Sequence, residues 1–191
     1  SYEAMIQQIL SGVRSEKKTC AAFYGHPGVF AYPSHESIRR ARKEGYIARM
    51  LPGISAEDCL FADLGVDPAV NGSQSFEATD FLLYDRAVDN SSQLILWQVG
   101  VVGDTTYRIR GYNLGPIFSL LVARLCQLYG AGHVAFVYEA AILPGLAPII
   151  KQVALGNLTP AHVTAGSTLY VPPARASTKN PAVAAAMMTH Q

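Results

Sequence analysis

Two short turns rich in glycine and proline set the strongest constraint on how this chain folds. The first is Tyr24–Phe30 (YGHPGVF) and the second is Pro52–Asp58 (PGISAED). Each turn follows a short apolar stretch, Thr19–Phe23 or Ile47–Leu51, that is typical of a buried strand, and each is followed by a helical pattern. Open α/β sheets offer backbone groups to small ligands where their strands end. We therefore predict that the two turns form two walls of one pocket.

The composition narrows the class of protein. Half of the 191 residues are hydrophobic and 15% are charged, which favours a large core in one domain or two α/β lobes. The net charge of the chain is only +1, whereas nucleic-acid-binding domains usually carry a clear excess of basic residues. No apolar run approaches the roughly 18 residues of a membrane span, and the candidate Ile117–Val122 is soon followed by Arg124. We therefore expect neither nucleic acid nor membrane as a partner.

The cysteine pattern points to a reducing compartment. Cys20, Cys59 and Cys126 lie far apart and form no Cys-x-x-Cys pair. This spacing favours three buried thiols over a metal or redox site. We expect a cytoplasmic protein.

A polar, turn-rich stretch marks the boundary between two lobes. Residues 65–73 contain Asp67-Pro68 and Asn71-Gly72, which are typical of turns. Pro172-Pro173 ends the ordered pattern, because neither proline can donate to a strand ladder. The predicted organisation is a first α/β lobe over 1–66, a linker over 67–73, a second α/β lobe over 74–173 and a tail over 174–191.

Hydrophobic spacing predicts the elements of each lobe. In the first lobe we predict a helix from Tyr2, a second helix capped by Ser34 and ended by Gly45, and a third that starts with a capping box over Ser55–Asp58. The predicted strands are Thr19–Tyr24, Tyr46–Leu51, Gln74–Glu77, Leu94–Val101, Tyr107–Ile109, Val134–Tyr138, Ile149–Leu155 and Thr168–Val171. A further helix is predicted over Leu114–Tyr129.

Metal and nucleophilic chemistry find little support in the sequence. His35-Glu36 opens a string like that of zinc peptidases, but Arg39 stands where the second histidine ligand is needed. The chain has neither a Gly-x-Ser-x-Gly elbow nor a P-loop. We predict no metal site.

The first turn is suited to a small ligand. Gly25 and Gly28 carry no Cβ that would block a ligand from the backbone, and Tyr24 and Phe30 offer aromatic faces to a cation or a purine ring. The helix that starts at Ser55 would aim free N–H groups at the same strand ends. The spacing alone does not name the ligand, and a tight turn with a hydrogen-bonded histidine is the structural alternative.

The same residues carry a resemblance to a known family. The runs Tyr24–Phe30 and Met50–Leu64 resemble the motifs of the borosin peptide backbone α-N-methyltransferases, a branch of the class III S-adenosylmethionine enzymes of the tetrapyrrole methylase superfamily. General tetrapyrrole methylases usually carry Asp where His26 stands, which favours the peptide-methylating branch. Further matching segments, in the family's order, are Phe76–Ala78 with Asp80-Phe81, Leu96–Gly100, Tyr138–Ala141, Ser167-Thr168 and Pro172-Pro173.

The resemblance implies a two-lobed fold with S-adenosylmethionine in the cleft between the lobes. The family's catalytic tyrosines align with Tyr2 and Tyr24. The residues that match its cofactor contacts are Tyr24, His26, Val29 and Phe30 in the first turn, Ser55 and Ala56 in the second turn, and Gln98, Ala140, Ser167 and Thr168 in the second lobe.

The chemistry gives the tyrosines a task. An amide nitrogen is a poor nucleophile because its lone pair is delocalised into the carbonyl, so methylation requires removal of the amide proton. A phenol with an ordinary pKa near ~10 needs a positive neighbour to act as a base. In the family, an arginine four residues before the position of Tyr2 serves this purpose. That arginine and the family's glycine-rich loop would lie before Ser1, so we expect the first lobe to be incomplete.

The resemblance also implies partners. Fused family members carry a clasp domain and their own substrate peptide after the Pro-Pro stretch, whereas 18 residues follow Pro173 here. We therefore expect a split-type enzyme that acts as a homodimer on a separate ribosomal precursor peptide. The alternatives are a methyltransferase of the same fold acting on a tetrapyrrole or another small molecule, and an inactive fragment.

Overall fold

A computed structural model describes residues 1–104 and 114–188. The described part of the chain forms two compact units, Ser1–Leu64 and the residues from Gly65 onward. The helices are α1 Tyr2–Arg14, α2 Tyr32–Lys43, α3 Ala56–Leu64, α4 Pro68–Asn71, α5 Ala78–Leu83, α6 Gly115–Tyr129 and α7 Pro181–Met188. The strands are β1 Ser73–Glu77, β2 Gln93–Trp97, β3 Val134–Glu139, β4 Ile149–Ala154 and β5 Thr168–Val171. Short 3-10 helices span Val99–Val101, Leu155–Asn157 and Pro160–His162.

The first unit is built on the pairing of α1 with α2. Ile6 and Leu10 of α1 pack against Ala41 of α2, and all three are buried. Their spacing puts them on the apolar stripes of amphipathic helices, as the sequence predicts. Two ion pairs border this contact, Arg14 with Glu44 at 2.5 Å and Arg40 with Glu3 at 2.6 Å.

The two strands predicted in the first unit are wrong. Thr19–Tyr24 and Tyr46–Leu51 are extended or bent but pair with no other strand among the described residues, and Ile47 is fully exposed. A strand exists only through ladder bonds to a neighbour, and the described sheet lies wholly in the second unit. Together with α1 and α2, the two segments line a groove of about 880 Å³.

The start of α2 also differs from the prediction. Its N-cap is Ala31, and Ser34 lies inside the first turn of the helix. The helix begins earlier because Pro33 fits its first positions, where a missing N–H costs nothing. The Ser34 hydroxyl instead donates to the carbonyl oxygens of Pro27 and Ala31, which ties α2 to the first glycine turn.

The second unit holds a five-stranded sheet in the order β1-β2-β5-β3-β4. β1 and β2 are parallel, and the other neighbours are antiparallel. β1, β3, β4 and β5 agree with the sequence prediction to within one residue at each end. β2 ends at Trp97, earlier than predicted, because Gln98 takes a left-handed conformation that turns the chain. The predicted strand Tyr107–Ile109 lies outside the described residues.

The core of the second unit forms where α6 covers the sheet. Phe118, Leu121 and Leu125 of α6 belong to one buried cluster with Leu94 and Leu96 of β2. Every residue of β2 is buried, which explains why its sequence is a continuous apolar run. Burying a Leu or Phe side chain contributes about 1.5–3 kcal/mol, so this contact is a major source of stability.

The three cysteines do not match their predicted burial. Cys20 is exposed, while Cys59 and Cys126 are half-buried, and all three are free thiols. Cys20 is exposed because it lies on an extended segment with no strand beside it among the described residues. Burial and the nearby carboxylates of Asp63 and Asp58 raise the pKa of the Cys59 thiol.

None of the helices in the described ranges is long and apolar enough to span a membrane.

Candidate functional site

The first glycine turn is shaped by the imidazole of His26. The backbone N–H of Gly28 donates to Nδ1 of His26 at 2.9 Å, and the N–H of Val29 donates to its carbonyl oxygen at 3.2 Å. Since Nδ1 accepts a bond, the neutral ring carries its proton on Nε2. Gly25 has a φ of +71° and Phe30 a φ of +50°, so the chain turns sharply at both ends. Such strain in a non-glycine residue is typical of functional turns.

Helix α2 anchors this turn from one side. Nε2 of His35 donates to the carbonyl oxygen of Gly28 at 2.9 Å, and the Ser34 hydroxyl donates to that of Pro27. His35 therefore has a structural partner. Across residues 1–104 and 114–188, no group of three or more histidine, cysteine or acidic side chains could hold a metal ion.

The second turn closes with the predicted capping box. The backbone N–H of Ser55 donates to Oδ2 of Asp58 at 2.7 Å, and the N–H of Asp58 donates to Oγ of Ser55 at 3.3 Å. The Ser55 hydroxyl also donates to that carboxylate. These bonds from Ser55 lower the pKa of Asp58. Ser55 is buried and Ala56, at the start of α3, is half-buried.

The two turns touch through their backbones. A Cβ placed on Gly53 would lie 2.9 Å from the carbonyl oxygen of Gly25 and 3.3 Å from Cα of His26. A Cβ on Gly28 would lie 2.8 Å from Sδ of Met50, in the segment that leads into the second turn. Only glycine fits these positions without displacement. The two turns that were predicted as pocket walls are thus in contact with each other within the first unit.

The two predicted catalytic tyrosines lie on different elements of the first unit. Tyr2 is the first residue of α1 and is 41% exposed, with its ring 6.1 Å from that of Tyr32. Tyr24 opens the first turn and is 78% exposed. Solvent reaches both side chains, as a group that meets a substrate requires. Their catalytic role stays a prediction.

In the second unit, the four predicted cofactor residues gather at one edge of the sheet. Gln98 directly follows β2, and Ala140 directly follows β3. Ser167 and Thr168 stand at the start of β5, which runs between those two strands. The register pairs Thr168 with Tyr138, so the start of β5 lies beside the end of β3. Their assignment to the cofactor stays a prediction.

Three residues that support this edge were not among the predicted site residues: Glu139, Thr164 and Gly100. Glu139 accepts hydrogen bonds from both Ser167 and Thr164. Gly100 approaches the carbonyl of Thr164 so closely that a Cβ would lie 1.7 Å from its oxygen. Glu139 stands within the motif Tyr138–Ala141, and this is the only sequence signal that could have drawn attention to it.

The basic face of α2 is neutralised in part by acidic partners. Arg39 and Arg40 both pair with Glu36, and Arg40 also pairs with Glu3. Nε of Arg42 donates to the carbonyl oxygen of Ala48. Each of these three arginines is thus bound to acceptors of the first unit itself.

The chain matches the sequence profile of a known family. Residues 1–145 match the family described as Tetrapyrrole (Corrin/Porphyrin) Methylases. This match covers most of the chain. The chain therefore belongs to the tetrapyrrole methylase family.

Curated relatives are similar over nearly the whole chain. One is the methyltransferase and ribosomally synthesized cyclic peptide gymnopeptides precursor of Gymnopus fusipes, 46% identical over 177 residues, which are 91% of this chain and 42% of the relative. Another is the methyltransferase and type I borosin cyclic peptide precursor of Coprinopsis marcescibilis, 42% identical over 94% of this chain and 47% of the relative. The resemblance to borosin-type methyltransferases is thus confirmed. The chain spans less than half the length of these relatives.

Solved structures share the fold. Two crystal structures of uroporphyrin-III C-methyltransferase from Thermus thermophilus match with TM-scores of 0.63 and 0.55, and both are 15% identical in sequence. They cover 91% and 90% of this chain and 69% and 73% of theirs. The second of them is a complex with S-adenyl homocysteine. The predicted α/β fold of the tetrapyrrole methylase type is confirmed.

Proposed function

We propose that this chain is the methyltransferase part of a protein that transfers methyl groups from S-adenosylmethionine to backbone amide nitrogens of a ribosomally made precursor peptide. The observation that carries the proposal is the identity of 42–46% to methyltransferases that are named as precursors of ribosomal cyclic peptides. The similarity spans 91% and 94% of this chain, so the aligned region contains both glycine turns. The assay below supplies the precursor as a peptide.

The contact between the two turns supports a cofactor role for the first unit. Gly25 and Gly53 let the two turns pack closely while both stay exposed, and Nδ1 of His26 in the first turn is held by the N–H of Gly28. Exposed backbone groups beside a helix start are suited to the polar atoms of a nucleoside. We propose Tyr24, His26, Val29, Phe30, Ser55 and Ala56 as the cofactor residues of this unit.

The second unit supplies the other proposed contacts. Gln98, Ala140, Ser167 and Thr168 gather at one edge of its sheet. A family relative of the same fold was crystallised with S-adenyl homocysteine, the product that S-adenosylmethionine leaves after methyl transfer. That the protein works as a homodimer is part of the proposal.

The reaction requires a base and a fixed geometry. The C–S bond of the sulfonium breaks as the new C–N bond forms, the thioether leaves uncharged, and the amide proton passes to a phenolate. Tyr2 and Tyr24 are the proposed phenols, and both are exposed. Holding the amide in line with the methyl group can lower a barrier by roughly 7–11 kcal/mol, which is more than the roughly 10²–10⁴-fold in rate that a positioned base contributes.

The test is methyl transfer to a defined peptide. The purified full-length protein is incubated with S-adenosylmethionine and its precursor peptide, and the peptide is analysed by tandem mass spectrometry. We expect mass gains of one CH₂ per transfer, located on backbone nitrogens. Uroporphyrinogen serves as the competing substrate, since the family description names porphyrins. Methylation of uroporphyrinogen with an unchanged peptide would reject the proposal.

A further inference from the structure

The carboxylate of Glu139 is the centre of a hydrogen-bond network at the edge of the second sheet. Its Oε1 accepts from Oγ of Ser167 at 2.6 Å and from Oγ1 of Thr164 at 2.7 Å. Hydrogen bonds to an ionised acceptor are shorter and about twice as strong as neutral ones. One oxygen therefore ties the turn 164–167 to the last residue of β3.

The turn itself is closed by two more bonds. The backbone N–H of Thr164 donates to Oγ of Ser167 at 2.8 Å, and the N–H of Ser167 donates to the carbonyl oxygen of Thr164 at 3.1 Å. The single proton of the Ser167 hydroxyl points at Glu139, and one of its lone pairs receives the Thr164 N–H. Because Ser167 is fully buried, these bonds fix its hydroxyl in one orientation inside the protein.

The opposite side of the turn is held by a close backbone approach. Gly100 lies against the carbonyl of Thr164, at a spacing that leaves no room for a Cβ. Gly100 belongs to the short 3-10 helix that follows Gln98. The turn 164–167 therefore packs between Gly100, which follows β2, and the Glu139 carboxylate at the end of β3.

We propose that Glu139 is a positioning residue of the cofactor site. It holds the buried residues Ser167 and Thr168 in place at the sheet edge, beside the half-buried Gln98 and Ala140, without contacting the ligand itself. This inference rests on the proposed function, because it takes the residues of this edge as cofactor contacts. Thr164, whose hydroxyl also donates to Glu139, is proposed as a second positioning residue.

The experiment compares variants in the full-length protein. Glu139→Leu removes the acceptor, while Glu139→Gln keeps a carbonyl oxygen at the position of Oε1. Asp89→Leu is the matched control, because Asp89 also accepts from the N–H and hydroxyl of a nearby serine, Ser91, but lies before the other end of β2. Binding of S-adenosylmethionine is measured by calorimetry and unfolding by differential scanning.

The loss of two charge-assisted bonds should weaken cofactor binding at least about tenfold in Glu139→Leu, and Glu139→Gln should stay within about threefold of the unmodified protein. The KM for S-adenosylmethionine should rise with little change in kcat. Asp89→Leu should lower the melting temperature and leave cofactor affinity unchanged.

The outcomes separate the two proposals. An unmodified protein that does not bind S-adenosylmethionine rejects the proposed function. An unmodified protein that binds it, together with a Glu139→Leu variant that binds equally well, overturns the role of Glu139. Equal weakening by Asp89→Leu also overturns it, since the effect would then be one of general stability. If Glu139→Leu does not fold, Thr164→Val removes one of the two bonds, and unchanged affinity in that variant counts against the proposal.

Discussion

Gly53 faces the carbonyl oxygen of Gly25 so closely that a Cβ added to Gly53 would lie 2.9 Å from that oxygen. The contact joins two turns that are separated by a full helix in the sequence. Since the near atoms are backbone atoms of Gly25 and His26, they cannot move aside as a flexible side chain would. The spacing of the turns therefore depends on a glycine at this position.

Substituting Gly53 by alanine should push the two turns apart. We expect cofactor affinity to fall at least about tenfold, since displacing polar contacts by a few tenths of an ångström weakens several hydrogen bonds together. Titration calorimetry with S-adenosylmethionine measures the change. Gly132→Ala is the control, because a Cβ there meets nothing within 4 Å. Equal affinities for Gly53→Ala and the unmodified protein would show that the turn contact is not part of the site.

Removing the hydroxyl groups of Tyr2 and Tyr24 should slow methyl transfer. A positioned base contributes roughly 10²–10⁴-fold to a rate, so each Phe variant should lose at least about 100-fold in kcat with a smaller change in KM. Single-turnover methylation of the precursor peptide measures the rate. Tyr32→Phe is the matched control, because it keeps the ring that contacts Tyr2 and removes only a hydroxyl group. A full rate in either of the first two variants would remove that tyrosine from the mechanism.

The ion pairs around Glu36 should make the first unit sensitive to acid. Hydrogen bonds from Arg39 and Arg40 lower the pKa of Glu36 to about 2. Because the folded-state pKa lies below the unfolded value of about 4.3, this stabilisation is present above that value and is lost as the pH falls towards about 2. Glu36→Gln should therefore melt at a lower temperature than the unmodified protein at pH 7. The melting temperatures of the two proteins should converge as the pH approaches about 2.

Thermal unfolding at several pH values measures this convergence. Glu16→Gln, which changes the charge at an exposed position of the same unit, is the control and should show no such convergence. A difference between Glu36→Gln and the unmodified protein that stays constant down to about pH 2 would contradict the assignment.

Tyr129 offers a test of polar burial in the second unit. Within the part of the chain that the structure describes, its buried hydroxyl has no hydrogen-bond partner. Burial, with a smaller effect of Asp89, raises the pKa of Tyr129 to about 12. Tyr129→Phe should leave the free energy of unfolding unchanged or raise it by up to about 1 kcal/mol, since an unpaired polar group is removed.

The pH dependence gives a second readout for Tyr129. The stability from its raised pKa is full below the unfolded value of about 10 and is lost as the pH rises towards the folded-state value. An ultraviolet titration should lose a phenol step near pH 12 in Tyr129→Phe, while Tyr84→Phe, at an exposed position, should keep that step. A loss of stability well above 1 kcal/mol in Tyr129→Phe would show that the hydroxyl has a partner.

Local patterns explain which parts of the fold were predictable. The helical spacing of Ile6 and Leu10 and the capping box of Ser55 and Asp58 involve residues three or four positions apart, so the sequence alone carries the signal. The apolar run of β2 was equally clear. The strands assigned to Thr19–Tyr24 and Tyr46–Leu51 failed for the opposite reason. An apolar run indicates that a strand is possible, but ladder bonds require a neighbour that local sequence does not specify.

The sequence by itself determined the family, the two turns, the helices α1, α2, α3 and α6 and, apart from the end of β2, the described strands of the second unit, because these follow from motifs and from spacings within one element. The tertiary structure alone decided that Gly53 abuts Gly25 and that Glu139 binds Thr164 and Ser167, which are 25 and 28 positions away. Contacts of this kind depend on how distant segments pack, and no periodicity within a segment encodes them.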